Sequence, residues 1–133
     1  MTRVLLVVSA DATADQAMVE RGEAPRRDYL ELARAIPADL FDAGRLSLGG
    51  RTLARRSKLA SGAFLQAWSA ARHFHAYDVV FSDNERIGVF IAMLLRLRAR
   101  RPQHVMLGHH LTPAKKRPFL LVARPAIDTL LLH

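Results

Sequence analysis

The sequence predicts an α/β protein: a three-layer Rossmann-like domain with a parallel sheet of about five strands and helices on both faces. Three observations carry that expectation. Short apolar runs rich in β-branched residues recur along the chain. Segments with helical apolar spacing separate them. The first run, Val4 to Val8, is apolar at every position, as in a strand buried on both faces. With 133 residues, the chain is expected to form a single domain with one core, residues 1–133.

Val4 to Val8 is bounded by Arg3 and Ser9 and reads as a central strand, followed by a polar loop. Arg26 to Ile36 then places Tyr29, Leu30, Leu32, Ala33 and Ile36 at near-helical spacing, and Pro37 ends the pattern. Ala38 to Phe41 is a short second strand, closed by an Asp42-Ala43-Gly44 turn and a Gly49-Gly50 break. From Thr52 to Phe74, the residues Leu53, Leu59, Ala63, Phe64, Ala67, Trp68 and Ala71 recur at helical intervals, while Arg55, Arg56 and Lys58 fall elsewhere. This predicts a long amphipathic helix with Gly62 as a weak point and Trp68 on the core stripe. Tyr77 to Phe81 is a third strand. Ser82 and Glu85 stand at capping-box spacing ahead of an apolar helix, Ile87 to Leu97. His104 to Leu107 is a fourth strand, Thr112-Pro113 opens a short helix through Val122, and Ile127 to Leu132 is a fifth strand.

Twenty Lys and Arg against 12 Asp and Glu give a formal charge of +8, which favours partners bearing phosphate, nucleic acid or an anionic membrane surface. Cysteine is absent, which removes disulfides, a thiol nucleophile and thiolate metal ligands, and fits a reducing cytoplasm. Asp11 and Asp15 follow the first apolar run where a signal peptide would have its cleavage region. The longest apolar stretch, Ile87 to Leu95, is well short of the roughly 20 residues that span a bilayer.

Right-handed crossovers bring the C-terminal ends of all parallel strands to one edge of the sheet, where such folds bind ligands. The segments delivered there are Ser9-Ala10-Asp11, Asp42-Ala43-Gly44, Ser82-Asp83-Asn84-Glu85, Gly108-His109-His110 and His133.

Three segments carry a family resemblance through their order and spacing. They are Tyr77-Asp78-Val79-Val80-Phe81-Ser82 before a small and apolar helix, Val105-Met106-Leu107-Gly108-His109-His110-Leu111-Thr112-Pro113, and Ile127-Asp128-Thr129-Leu130-Leu131-Leu132-His133. In this order the chain resembles, over nearly its whole length, the N-terminal domain of retaining glycosyltransferases of the GT-B fold, especially family 4. The resemblance implies a cleft between two Rossmann-like domains. The first mainly holds a glycan or lipid-linked acceptor; the second holds the nucleotide-sugar and a pair of glutamates in an E-x7-E arrangement. No counterpart of the second domain is present, so the chain is expected to be the acceptor half of a sugar-transferring enzyme, cut at its C-terminal end and inactive alone. No cofactor is expected in it. Many relatives have a glycine-rich loop after the first strand, whereas Ser9-Ala10-Asp11-Ala12-Thr13 has no glycine before Gly22.

His109 matches the position where the family often has a histidine facing the cleft, and is the candidate catalytic residue, able to bond a sugar hydroxyl or a departing phosphate. Asp11, Asp83, Asn84 and His110 are candidate acceptor contacts at the same edge. Arg26, with Arg27, opens the first predicted helix, where a cation opposes the helix dipole and an acceptor phosphate would relieve it. The competing structural roles are a capping box for Ser82 and Glu85, a turn cap for the histidines, and helix-end or surface positions for His73 and His75. His109, His110 and His133 lack a usual metal-ligand spacing, so no metal is expected.

Arg51, Arg55, Arg56 and Lys58 beside Leu53, Leu59, Phe64 and Trp68 offer a helix that could lie on an anionic membrane, against the alternative of a core-packed helix with a solvated basic face. Two other functional classes remain open. A basic nucleic-acid-binding α/β domain fits the charge but has no accompanying recognition motif. Half of another GT-B enzyme, such as a sugar-nucleotide epimerase, would share the architecture.

Overall fold

The computed structural model describes residues 1–10, 12–25, 28–42, 44, 62–108 and 117–132. Five strands, β1 (Val4–Val7), β2 (Ala38–Phe41), β3 (Val79–Ser82), β4 (Gln103–Gly108) and β5 (Thr129–Leu132), form one all-parallel sheet in the order β2-β1-β3-β4-β5. Among the described residues they alternate with five helices: α1 (Ala12–Glu20), α2 (Asp28–Ala35), α3 (Gly62–Ala71), α4 (Glu85–Arg96) and α5 (Arg117–Ala123). This is the predicted three-layer α/β architecture.

The order follows from crossover handedness. The chain moves from β1 to β2 in one direction across the sheet, then from β2 past β1 to β3, β4 and β5 in the other. Right-handed connections therefore put α1 and α2 on one face and α3, α4 and α5 on the opposite one. Accordingly α3 packs on α4 and α4 on α5. Leu5 and Val7 of β1 join the cluster formed with Ala67, Phe74, Ile87, Ile91 and Leu95. Leu6 and Val8 alternate to the other face and are fully buried too, so β1 is covered on both sides.

Several expectations need correction. The segment read as a polar loop after β1 contains α1. Its end is a Schellman closure: Gly22 has φ of 73°, its amide donates to Val19 O at 3.1 Å, and Glu23 N donates to Met18 O at 2.9 Å. The long helix ends at Ala71 rather than Phe74, where a short 3₁₀ turn, Phe74–Ala76, takes over; residues 52–61 of that prediction lie outside the described residues. Trp68 is not on the core stripe. It is 51% exposed and leans on Phe64 with ring centroids 6.3 Å apart. His73 lies just past the end of α3, with its ring 6.0 Å from that of Phe41, while His75 sits in the 3₁₀ turn.

The capping box does not form. Ser82 is the last residue of β3, fully buried, and shares a 3.1 Å hydrogen bond with His104 Nε2. The N-cap of α4 is Asn84, whose Oδ1 accepts from Ile87 N at 3.2 Å. Glu85 becomes the first helical residue, a favourable place for an acid against the helix dipole.

Two aspartates immediately ahead of strands fix their neighbours. Asp78 accepts from Arg3 N at 2.8 Å, beside the start of β1. Asp128 accepts from His104 N at 2.8 Å in β4 and takes both ends of the Arg101 guanidinium, at 2.7 and 3.1 Å. That bidentate pair raises the Arg101 pKa and holds the Asp128 carboxyl below the usual carboxylate range.

The join between α4 and the sheet is close. A Cβ on Gly88 would stand 2.5 Å from Met106 Sδ and 2.6 Å from Ser82 Oγ. Met106 is fully buried, and Ser82 is held by its strand and by His104. Gly88→Ala is therefore expected to destabilise by about 1–3 kcal/mol despite its better helix propensity. Urea denaturation measures the change; unchanged stability would show that the layers can separate freely.

Candidate functional site

In an open parallel sheet the crevice for a ligand opens where successive connections leave in opposite directions. Here that switch point lies between β1 and β3, whose register pairs Val7 with Ser82. The residues just beyond are Ser9 and the pair Asp83-Asn84.

These three converge. Ser9 N faces both carboxylate oxygens of Asp83, at 3.2 and 3.3 Å, and the hydroxyl lies 3.5 Å from Asp83 Oδ2. Asn84 Nδ2 donates to Ser9 Oγ at 2.6 Å, while its Oδ1 caps α4. Asp83 N in turn donates to Val7 O at 3.1 Å. The amide of Asn84 is thus anchored at both ends, and the Asp83 carboxylate is held against Ser9. Ser9 is exposed and the other two are half-buried.

Around this trio, α1 begins at Ala12 and α4 at Glu85, so two helices start beside it. Gln66 of α3 is buried and donates through Nε2 to the carbonyl of Val8, which fixes the backbone immediately ahead of Ser9. Asp42, at the end of β2, is also buried, next to that same backbone through the bond from Val8 N to Phe41 O at 3.0 Å.

Chemically, the trio combines a carboxylate, a carboxamide and a hydroxyl, both donors and acceptors, with the Asp83 carboxylate 3.5 Å from the serine hydroxyl. It suits recognition of a polyhydroxylated ligand by hydrogen bonds. Among the described residues, no group of three His, Asp or Glu side chains is arranged to hold a metal ion.

Of the predicted site residues, Asp83 and Asn84 are brought together at the edge. Asp11, Arg26, His109, His110 and His133 lie outside the described residues. Sequence reasoning brought Ser9 to the edge within Ser9-Ala10-Asp11 but did not single it out as a contact, and it missed Gln66 as its support. The only signal for Ser9 is that it is the first polar residue after β1. For Gln66, it is a lone amide within the otherwise apolar run Ala63 to Trp68.

Among the described histidines, the one with a strongly altered environment stands elsewhere. His104 is fully buried in β4, and burial pushes its pKa down to about 4, with the Ala126 backbone and Asp128 acting in the opposite direction. Its role is structural, through Ser82.

The fold and the edge geometry define an α/β protein of the Rossmann-like three-layer class. No protein-family model matches the sequence, and neither a curated protein nor a solved structure is significantly similar to it. Among the described residues no helix is long and apolar enough to cross a membrane.

Proposed function

We propose that the chain is the acceptor-side domain of a retaining GT-B glycosyltransferase, which moves a sugar from a nucleotide-sugar to a glycan or lipid-linked acceptor. The observation that carries the reading is the Ser9, Asp83 and Asn84 trio at the switch point, a hydroxyl-recognising set at the place where open parallel sheets hold ligands. The segment order around Tyr77 to Ser82, Val105 to Pro113 and Ile127 to His133 supplies the enzyme class. In this reading Asp83 and Asn84 bond acceptor hydroxyls, with Asp11, His110 and Arg26 as further contacts, and His109 orients the reacting groups. The nucleotide-sugar would be held by a second domain, which also brings the paired glutamates. A lipid-linked acceptor would have the enzyme work in the cytoplasm, at a membrane surface.

Two-dimensional NMR of the amide groups tests the binding part of this proposal. Adding glucose, mannose or their 1-phosphates is expected to shift the signals of Ser9, Asp83 and Asn84. Asp83→Ala should weaken that binding about 10- to 100-fold, the loss of one charged hydrogen bond. Absence of any shift with all four sugars, together with salt-dependent shifts on adding an RNA or DNA oligonucleotide, would replace the reading with nucleic-acid binding.

A further inference from the structure

We infer that the groove between α5 and β5 seats an anionic phospholipid of a membrane surface, the acyl chain against its apolar floor and the acidic headgroup against two arginines. The groove has a volume of about 490 Å³ and is lined by Met106, Leu120, Leu121 and Leu130, with Arg117 and Arg124 also lining it. Arg117, Leu120, Leu121 and Arg124 stand at i, i+3, i+4 and i+7, so α5 and the turn after it present one face that is both apolar and basic.

Two features argue for an amphiphilic anion. First, two of the apolar residues are open: Leu121 is 70% exposed and Leu130 42%, while Met106 forms the buried floor. Exposed apolar surface of this kind, rimmed by charge, marks an interaction site. Second, neither guanidinium has an ion-pair or hydrogen-bond partner among the described residues. Among the described residues, the one acid lining the groove, Asp128, is already engaged by Arg101 and by His104 N. In sequence, Lys115 and Lys116 stand directly ahead of Arg117, which makes a run of three cations before Phe119. A basic run beside exposed leucines and a phenylalanine matches the charge and polarity of an anionic bilayer interface.

A second apolar-basic patch, between α3 and α4, includes Trp68, Leu97, Arg72 and Arg98. There Arg98 is committed, donating to Ala71 O at 2.7 Å and lying over the Phe74 ring. It therefore offers less to a headgroup. The inference gives the membrane part of the proposed function a specific surface, and it does not depend on sugar transfer.

The test is co-sedimentation of the full chain with vesicles of phosphatidylglycerol and phosphatidylcholine, against vesicles of phosphatidylcholine alone. Binding to the anionic vesicles is expected, and Arg117→Gln with Arg124→Gln should reduce the partition coefficient about 30-fold. Leu121→Asn should also reduce it, while Arg72→Gln with Arg100→Gln, an equal change of charge, should reduce it far less. Circular dichroism and thermal melting of each variant establish that it is folded.

Three results would overturn the inference. One is no binding to anionic vesicles. Another is an equal loss in both double variants with Leu121→Asn unaffected, the mark of diffuse attraction by the whole charge. The third is a dimer in light scattering without lipid that Leu121→Asn dissociates, which would put a second copy in the groove. Sugar-induced shifts at Ser9, Asp83 and Asn84 are read separately, so either proposal can fail alone.

Discussion

Replacing Phe74 by alanine is expected to lower the free energy of unfolding by about 3–5 kcal/mol, read from urea denaturation at neutral pH. Among the described residues, Phe74 is the largest fully buried side chain, and it belongs to the main core cluster. It sits in the 3₁₀ turn that joins α3 to β3, so its ring fills the place where the helical layer meets the start of the central strands. Arg98 lies over the ring, 5.7 Å from its centroid, and its guanidinium donates to Ala71 O. The alanine variant loses the buried ring and the cation–π contact together. Domains of this size are stable by about 5–15 kcal/mol, so such a loss takes a large share of the total. A change below about 1 kcal/mol would mean that the turn collapses onto the cavity and that Phe74 does not key the layers together.

The second large effect is on pH. Burial lowers the His104 pKa from 6.5 to about 4, so the folded protein keeps this imidazole neutral across a range in which the unfolded chain protonates it. Below pH 6.5 the unfolded state binds the extra proton, which favours unfolding. The stabilisation is therefore complete above that pH and is lost progressively as pH falls towards 4, by about 3 kcal/mol in all. His104→Gln keeps a polar partner for Ser82 but cannot titrate. Its stability is expected to be flatter than that of the native chain across this window, in denaturation curves taken at several pH values. Parallel pH profiles for the two proteins would assign the acid sensitivity to the carboxylates instead.

The strands were legible because parallel strands covered on both faces are apolar throughout, as Val4 to Val8 and Val79 to Phe81 are. The helix α4 was legible because its apolar residues recur around one face ahead of a polar start. The helix α1 was not. Its large apolar residues are only Met18 and Val19, and Met18 is 37% exposed, so little periodicity marks it. Gly22 was the usable sign, since a glycine just past a helix is where a left-handed closing residue belongs. Trp68 shows a different limit. Helical spacing tells which residues share a stripe, not how far the neighbouring helix extends over it. The cap of α4 was misplaced by two residues because Ser82 and Asn84 are both good capping types, and the strand length decides between them. At the site, the edge rule located Asp83 and Asn84. The contact with Ser9 depends on β1 and β3 being neighbours, 75 residues apart in sequence for Asn84, and sheet order leaves no periodic trace.

The aspartates flanking β3 have a consequence for how a ligand would be met. Asp78 ties the entry of that strand to Arg3, and Asp83 ties its exit to Ser9, so the two strands that border the switch point are pinned to each other at both ends. Among the described residues, side-chain pinning of the edge strand β5 is found only at its start, through Asp128, and all four of its residues are exposed. Stiffness is thus graded across the sheet, and amide exchange should be slowest at β1 and β3 and fastest at the far end of β5. A ligand bound between the stiff pair, as proposed above, would find its hydrogen-bonding groups already in position. The loss of chain freedom that recognition demands has largely been met when the protein folds, and binding energy is left to discriminate among ligands.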